Sequence, residues 1–413
     1  MIRKAFLFGI FVVAVLPASA QTAFECNSAG VTHYNAGQWA DAIAHFECAY
    51  ELEPGNPTVR RNLCNAHQAT ANELAKAADF AAAAKHLELA IAIDPRNYAP
   101  LVQLASYYLR LDFVPEAIFR LEEAIELAPE SVDAHELLGD AYYKDNDSAS
   151  ALVQWEWVLK VQPDRRGLRD KVEKATRELA VESEFRPTGS RHFQLSYERD
   201  LPSRPLRRVL FYLERAYVEI GRNFGRVYPP SPVQVIAYDA EGFANATLAG
   251  VHVGALYDGK IRIPLVDAAG TPLDEPVLKQ RLYHEYTHVV VRFLGGSNVP
   301  WWLNEGLAET FSTELGPLQM TMLERAKEAG ALYALADLEG NQLKRMDADA
   351  LRLAYAQSHA TVTHLWTKFI RSRLTDVMSD LAQGVAVEES LRQRYGRTYA
   401  MLEKEVARTI GRR

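Results

Sequence analysis

The first half of the chain is rich in alanine and repeats a pattern of small, bulky and proline positions. Pro95, Pro129 and Pro163 follow one another at equal intervals along the sequence. An alanine recurs twelve positions before each proline, and a leucine or tryptophan recurs eight positions before it. Two helices approach closely only where a small side chain faces a large one, and proline ends a helix. The pattern therefore predicts repeated pairs of helices.

The interval between these prolines resembles that of the tetratricopeptide repeat, a helix–turn–helix unit of about 34 residues. The resemblance covers four units, although Pro54 lies further from Pro95 than one such interval, so that the second unit is longer. It implies an all-α tetratricopeptide-repeat solenoid over residues 24–183, with a concave surface that binds a partner protein. The other interpretation is a structural extension that orients the next domain, and the sequence leaves both open.

After the repeats, the pattern changes to short strands. Residues 184–191 are rich in turn-forming types and predict a linker. Alternating apolar and polar positions predict strands over 192–197 and 233–238, and Asp258-Gly259 predicts a tight hairpin between two further strands.

Helical patterns follow these strands. Strands that come first and helices that come later predict an α+β domain, which we place over 192–375. Residues 376–413 carry amphipathic helix patterns and are predicted to pack on that domain. The chain is therefore predicted to be multidomain.

Residues 1–20 differ from the rest of the chain. A basic pair, an apolar run over 5–16 and an Ala-x-Ala ending at Ala20 are typical of a cleavable secretory signal. A membrane anchor is disfavoured because the run is shorter than the roughly 20 residues that span a bilayer. We therefore expect export, to a periplasm or out of the cell, with no membrane span after cleavage.

The composition is that of a globular protein, with 413 residues, of which 48% are hydrophobic and 24% charged. The formal net charge of −7 argues against a nucleic-acid-binding protein. Cys26, Cys48 and Cys64 are too few for a disulfide-built scaffold, and none has the CxxC spacing of a metal site. Export would allow one disulfide among them, but the sequence does not identify the pair.

The candidate chemistry begins on a helix predicted between Asp274 and Gly295, which carries a His-Glu-x-x-His motif. Residues four apart lie on the same side of a helix, so His284 and His288 can direct ring nitrogens at one zinc ion. Glu285 is rotated by about 100° from His284 around the helix axis. Its carboxylate can therefore reach a water on the metal without binding the metal itself.

A second predicted helix follows after a short turn and brings Glu305 into reach of the two histidines. A catalytic zinc needs three protein ligands and an open position, and this carboxylate completes a His2Glu set. Glu309, one turn later, is predicted to accept the outer N–H of a ligand histidine and to fix its tautomer. The alternative for both glutamates is a solvated helix face, which their apolar neighbours disfavour.

The motif at 284–288 and the segment Trp-Leu-Asn-Glu-Gly-Leu-Ala-Glu at 302–309 together resemble a gluzincin metallopeptidase of the peptidase MA-like group. The resemblance implies a thermolysin-like fold over roughly 193–370 and hydrolysis of peptide bonds through a water on one catalytic Zn²⁺. It implies that the metal ligands and the base are His284, His288, Glu305 and Glu285. The chain has no clear Gly-x-Met-Glu-Asn element, which favours an endopeptidase over an aminopeptidase.

The same resemblance implies two further features. In related enzymes a Tyr or His on a later helix stabilises the oxyanion, and Tyr355 is the candidate here, followed by His359 and His364. Peptide substrates of such enzymes pair with an exposed strand edge, for which residues 260–263 are one candidate. The other candidate edge consists of Gly254, Ala255, Leu256 and Tyr257. The alternatives are an ordinary core tyrosine and a plain hairpin strand.

Two functions follow from the sequence. The first is an exported zinc peptidase whose repeats recruit or orient a protein substrate. The second is a scaffold that binds partner proteins through its repeats and whose peptidase fold is inactive. The intact set of ligands and base favours the first.

Overall fold

A computed structural model describes residues 21–249, 254–340 and 346–411, so the predicted signal at 1–20 lies outside the described residues. The chain divides into two compact units, Met1–Ser131 and Val132–Arg413. The last predicted repeat therefore belongs to the second unit. None of the helices in the described ranges has the length and apolar character required to cross a membrane.

The first unit consists of helices that pack in consecutive pairs. They are α1 (Ala23–Asn35), α2 (Trp39–Leu52), α3 (Pro57–Lys76), α4 (Phe80–Ile93), α5 (Tyr98–Arg110) and α6 (Val114–Leu127). The alanines and bulky residues of the repeat pattern are buried between them. Gly30 shows how closely paired helices approach, since a Cβ atom there would lie 2.5 Å from the Phe46 ring. The predicted helical repeats are confirmed.

One disulfide lies in this unit. Cys26 of α1 is bonded to Cys48 of α2, whereas Cys64 of α3 is a buried free thiol. The structure thus selects one of the three pairings that the sequence left open.

The second unit begins with three helices and continues with a sheet and further helices. The helices before and within the sheet are α7 (Val132–Lys144), α8 (Ser148–Val161), α9 (Leu168–Glu182), α10 (Ser203–Asn223) and α11 (Ala240–Thr247). The later helices are α12 (Glu275–Gly295), α13 (Trp301–Ser312), α14 (Pro317–Glu328), α15 (Ala348–Lys368), α16 (Ser372–Ala382), α17 (Val387–Tyr395) and α18 (Tyr399–Thr409).

The sheet has five strands in the order β1-β2-β3-β5-β4. They are β1 (Arg186–Gly189), β2 (Phe193–Tyr197), β3 (Val233–Tyr238), β4 (Leu256–Tyr257) and β5 (Ile261–Pro264). The pairs at the two edges are antiparallel, whereas β2–β3 and β3–β5 are parallel. The α+β prediction therefore holds only in part: strands precede helices, but α10 is a crossover between parallel strands.

Strand β1 lies inside the segment predicted as a linker. All four of its residues are exposed, and they include Pro187 and Gly189. An edge strand without a buried face shows no alternation, and its proline and glycine indicate a turn. This is why the sequence pattern did not distinguish the strand from a linker.

The two faces of the sheet pack against different helices. Val233, Val235 and Ala237 of β3 point into the large core that contains α10 and α12. Ile236 and Tyr238, the alternate residues, pack with side chains of α9 and α11. The sheet is therefore covered on both faces. The large core also contains buried residues of α16, α17 and α18.

A buried group of charges joins α9 to the sheet, and we call it the Arg262 cluster. It consists of Lys174, Glu178, Glu182, Asp258, Lys260 and Arg262. Arg262 of β5 is fully buried, and its guanidinium forms ion pairs with all three carboxylates. Its Nη2 lies 2.8 Å from Glu178 Oε1, and Lys174 Nζ lies 2.6 Å from Asp258 Oδ2. The cluster holds the last helix before the sheet against the β4–β5 hairpin.

Candidate metal centre

Helix α12 positions the two histidines. It begins after Asp274, has Pro276 in its first turn and ends at Gly295, as the sequence pattern predicted. The four-residue spacing places both rings on one side of the helix, with their centroids 4.8 Å apart.

Helix α13 brings the carboxylate to them. Glu305 Oε2 lies 3.4 Å from Nε2 of His284 and 3.6 Å from Nε2 of His288. One potential ligand atom from each of these three residues lies within 4.8 Å of the other two. The structure therefore brings together the three residues that the sequence analysis named as metal ligands.

The residue after Glu305 sets the distance between α13 and α15. A Cβ atom on Gly306 would lie 2.5 Å from the Ser358 carbonyl oxygen and 2.5 Å from Val362 Cγ2. No side chain fits at that separation, so the two helices are in backbone contact beside the metal ligand.

The outer nitrogens of both histidines have partners. Glu309 Oε1 lies 3.5 Å from Nδ1 of His284, and Asn304 Oδ1 lies 3.0 Å from Nδ1 of His288. The Asn304 oxygen accepts the N–H of His288 Nδ1, which leaves Nε2 of that ring free to bind a metal. Glu309 lies at ion-pair distance from Nδ1 of His284, whose Nε2 faces Glu305. The sequence analysis named Glu309 but missed Asn304, although Asn304 directly precedes a candidate ligand on the same helix.

At the three candidate ligands, burial and the neighbouring charges have opposite effects on the pKa values. Burial lowers the pKa of His284, but the hydrogen bond to Glu305 and the charges of Glu285, Glu305 and Glu309 outweigh it and raise the pKa to about 9. Burial is the main reason that the pKa of His288 is lowered. Burial also opposes the ionised form of Glu305, yet the two histidines keep its pKa below the usual value. The centre therefore contains an ionised carboxylate between two imidazoles.

Glu285 is almost fully buried, with 5% of its surface exposed. Burial raises its pKa to about 7, and the nearby Glu305 charge acts in the same direction, whereas His284 and Arg281 oppose it. A carboxyl group with a pKa near neutrality can both accept and return a proton. This is the property that a general base needs.

Among the three candidate oxyanion donors, Tyr355 is the one on which charges of the candidate centre are shown to act. Its ring packs on Trp301 at a centroid distance of 4.9 Å. Burial raises the pKa of its hydroxyl, and the charges of Glu305, Glu309 and Glu285 raise it further. The hydroxyl therefore stays protonated and can donate a hydrogen bond near the centre.

The other two candidates have different surroundings. His364 Nε2 lies 3.0 Å from Glu405 Oε2, in a pair with the C-terminal helix α18. Burial alone lowers the pKa of His359 to about 4, and its Nδ1 has no hydrogen-bond partner among the described residues. No charge of the centre contributes to the lowered pKa of His359, whereas three carboxylates of the centre raise the pKa of Tyr355.

The sheet topology also distinguishes between the two candidate strand edges for substrate binding. Strand β4, which contains Leu256 and Tyr257, is the edge strand beside α12, and Gly254 and Ala255 precede it. The alternative at 260–263 is wrong, because β5 lies between β3 and β4 and has no free edge.

The donor set fits a catalytic zinc ion. Two imidazole nitrogens and one carboxylate oxygen are the ligands of known His2Glu zinc sites. Glu305 is buried, the side chains of His284 and His288 are 18% and 11% exposed, and Glu309 and Asn304 lie at the outer nitrogens of the two rings.

Comparison with known families now adds to this geometry. Residues 276–411 match the family model for the Peptidase MA superfamily. This segment is a Peptidase MA superfamily domain. It contains all the candidate ligands, the base and Tyr355, but not the sheet or the repeats. No curated protein matches the chain.

Solved structures similar to the chain include proteins with helical repeats. The MamA protein is 18% identical, with a TM-score of 0.31 over 37% of this chain and 80% of its own. PilF of Pseudomonas aeruginosa is 22% identical, with a TM-score of 0.29 over 39% of this chain and 69% of its own. YrrB, described as a TPR protein with an unusual peptide-binding site, is 16% identical, with a TM-score of 0.27 over 37% and 92%.

Proposed function

We propose that the second unit is a zinc-dependent peptidase of the gluzincin type, with a thermolysin-like active site. The observation that carries this proposal is the convergence of His284, His288 and Glu305 next to the buried Glu285. The Peptidase MA superfamily domain at 276–411 supports a peptidase rather than another hydrolase.

His284, His288 and Glu305 would hold the zinc ion. A zinc ion in such a site supplies Lewis-acid chemistry, which polarises a peptide carbonyl and makes a water molecule more acidic. Glu285 takes a proton from the attacking water on a carboxylate oxygen and passes it to the nitrogen of the leaving amine. Its pKa of about 7 suits both steps.

Tyr355 donates a hydrogen bond to the oxygen on which negative charge develops. Its protonated hydroxyl near three carboxylates supports this role. The peptide backbone pairs with the edge strand β4, which lies beside α12. An open strand edge accepts an internal stretch of peptide, in agreement with endopeptidase rather than aminopeptidase activity.

The helical repeats recruit or orient a protein substrate or partner, and the protein is exported to a periplasm or out of the cell. The pattern at 1–20 supports export. The Cys26–Cys48 disulfide also supports it, because structural disulfides persist mainly in oxidising compartments.

The test compares the wild-type full chain with Glu285→Gln on an unstructured protein substrate. We expect Glu285→Gln to bind zinc normally and to lose about 10²–10⁴-fold in cleavage rate, since it cannot accept the proton. Glu328→Gln makes the same change at an exposed position of α14 and should keep the wild-type rate. Zinc content and cleavage are measured on the same preparations.

Two outcomes would contradict the proposal. Equal cleavage by Glu285→Gln would remove Glu285 from the mechanism. Failure of the wild-type chain to bind zinc on reloading would favour the inactive scaffold.

A further inference from the structure

A cation lies beside the candidate centre and has no assigned role. Arg281 is half-buried on α12, one helical turn before Glu285. Its guanidinium covers the α-carbon of Gly254, since a Cβ atom there would lie 2.8 Å from Nε and 2.9 Å from Cζ. Arg281 therefore lies between the proposed base and the start of the edge strand β4.

Arg281 lacks the carboxylate contact that two other partly exposed arginines of the second unit have. Arg394 forms an ion pair with Asp380, and Arg397 forms one with Glu405. Arg281 has no ion pair or hydrogen bond with residues in the described ranges. Burial lowers its pKa, and the charge of Glu285 is what opposes this effect. A guanidinium that is half removed from water and has no carboxylate in contact with it among the described residues can take its anion from a ligand.

The chemistry and position of Arg281 define that ligand. A guanidinium presents a planar fork that binds a carboxylate through two parallel hydrogen bonds. Side chains four apart on a helix are about 6 Å apart at their Cβ atoms, and an extended peptide advances about 3.3 Å per residue. A carboxylate on Arg281 would therefore lie one or two residues from the peptide bond that is attacked by the water that Glu285 deprotonates.

We infer that Arg281 is a specificity-determining residue that binds a carboxylate of the peptide substrate, one or two residues from the scissile bond. The inference rests on the proposed function, because Glu285 locates that bond. The carboxylate has two sources, a free C-terminus or an Asp or Glu side chain of the peptide. The first source gives a preference for cleavage near a C-terminus, and the second gives a preference for acidic sequences.

The test measures peptide binding rather than cleavage, with the full chain carrying Glu285→Gln so that bound peptides stay intact. One peptide pair differs only in a free C-terminal carboxylate or a C-terminal amide. Both peptides of the second pair have a C-terminal amide. One has Asp and the other has Asn at the positions that flank the cleavage site. We expect the charged member of one pair to bind about 10-fold or more tightly, as a charge-assisted pair does.

Variants on the same background assign this difference to Arg281. Arg281→Gln should abolish the preference, and Arg281→Lys should keep part of it. Lys279→Gln removes an exposed cation two residues away, on the opposite side of α12, and should keep the full preference. Thermal unfolding of each variant shows whether it is folded.

Equal binding of charged and uncharged peptides would overturn the inference. So would a loss in Arg281→Gln that is the same for both members of a pair, because that result indicates a structural role. The proposed function fails separately: an Arg281-dependent preference without cleavage by the wild-type chain would support the carboxylate site and contradict the peptidase. Cleavage by the wild-type chain without an Arg281-dependent preference would support the peptidase and contradict the carboxylate site.

Discussion

The second unit buries charged side chains both in the Arg262 cluster and at the candidate metal centre, and the two differ in how the charges are balanced. The Arg262 cluster has three cations and three carboxylates, and each carboxylate contacts Arg262. The candidate metal centre has Glu285, Glu305 and Glu309, and among the described residues Arg281 is the arginine whose charge acts on one of them, Glu285. The histidines bind a metal only when they are neutral.

This difference separates a structural cluster from a functional one. Opposite charges in contact need no further ligand, and removal of one leaves another buried without a partner. An excess of carboxylates around free imidazole nitrogens is stable only when a cation balances it. Excess charge, rather than buried charge as such, is therefore the feature that indicates a metal centre here.

The largest expected effect tests the centre directly. Glu305→Ala removes one of three ligands, and we expect zinc affinity to fall by more than about 100-fold, with cleavage reduced to background. Asn304→Ala removes only the partner of His288, and the zinc affinity of this variant should fall by about 10–100-fold. Zinc content after dialysis against a graded chelator measures both. Full zinc retention by Glu305→Ala would mean that the carboxylate is not a ligand.

The next effect concerns the balanced cluster. Arg262→Met removes the guanidinium that pairs with the buried Glu178 and the partly buried Glu182, so the free energy of unfolding should fall by about 3–5 kcal/mol. Arg352→Met removes an exposed arginine from a surface ion pair and should change the free energy of unfolding little. Denaturant unfolding in the presence of a chelator gives both values. A loss for Arg262→Met no larger than that of the control would contradict the comparison.

A smaller effect separates catalysis from metal binding. Tyr355→Phe keeps the ring on Trp301 but removes the donor, so kcat should fall by about 100-fold with zinc content unchanged. His359→Gln is the matched test of the competing donor and should leave kcat near the wild-type value. The reverse pattern would assign the oxyanion to His359.

The smallest effect is on proton release. Because the surrounding carboxylates raise the pKa of metal-free His284 to about 9, this ring is protonated at pH 7 and must lose its proton to bind a metal. Zinc binding should therefore release about one proton, and affinity should rise by up to about tenfold per pH unit between pH 6 and 8. Calorimetry in buffers of different ionisation enthalpy counts the protons. If no proton is released, His284 is already neutral and the carboxylate excess is smaller than we infer.

The sequence predicted those features that depend on short spacings. The bounds of α12, the shared side of His284 and His288, and the return of Glu305 on the next helix follow from helix geometry and a short turn. The repeats were predictable for the same reason, since the small and large positions of a helix pair lie within one repeat unit.

Features that join distant segments were not predicted. Arg262 stands between Ile261 and Ile263, and a charged residue that alternates with apolar ones in a strand is typical of a solvent-facing position. Its side of the sheet is instead covered by α9, which brings Glu178 and Glu182 from 80 or more residues away. The spacing of four residues in both 178/182 and 258/262 was the available signal, but it also occurs on ordinary helix surfaces.

Gly306 has a consequence for how this site tolerates change. At this point both the Ser358 carbonyl oxygen and the Val362 side chain leave no room for a Cβ atom between α13 and α15. A single added methyl group at 306 would push α13, which carries Glu305, away from α15, which carries Tyr355. A substitution far smaller than any change of charge would therefore move a candidate metal ligand away from the candidate oxyanion donor.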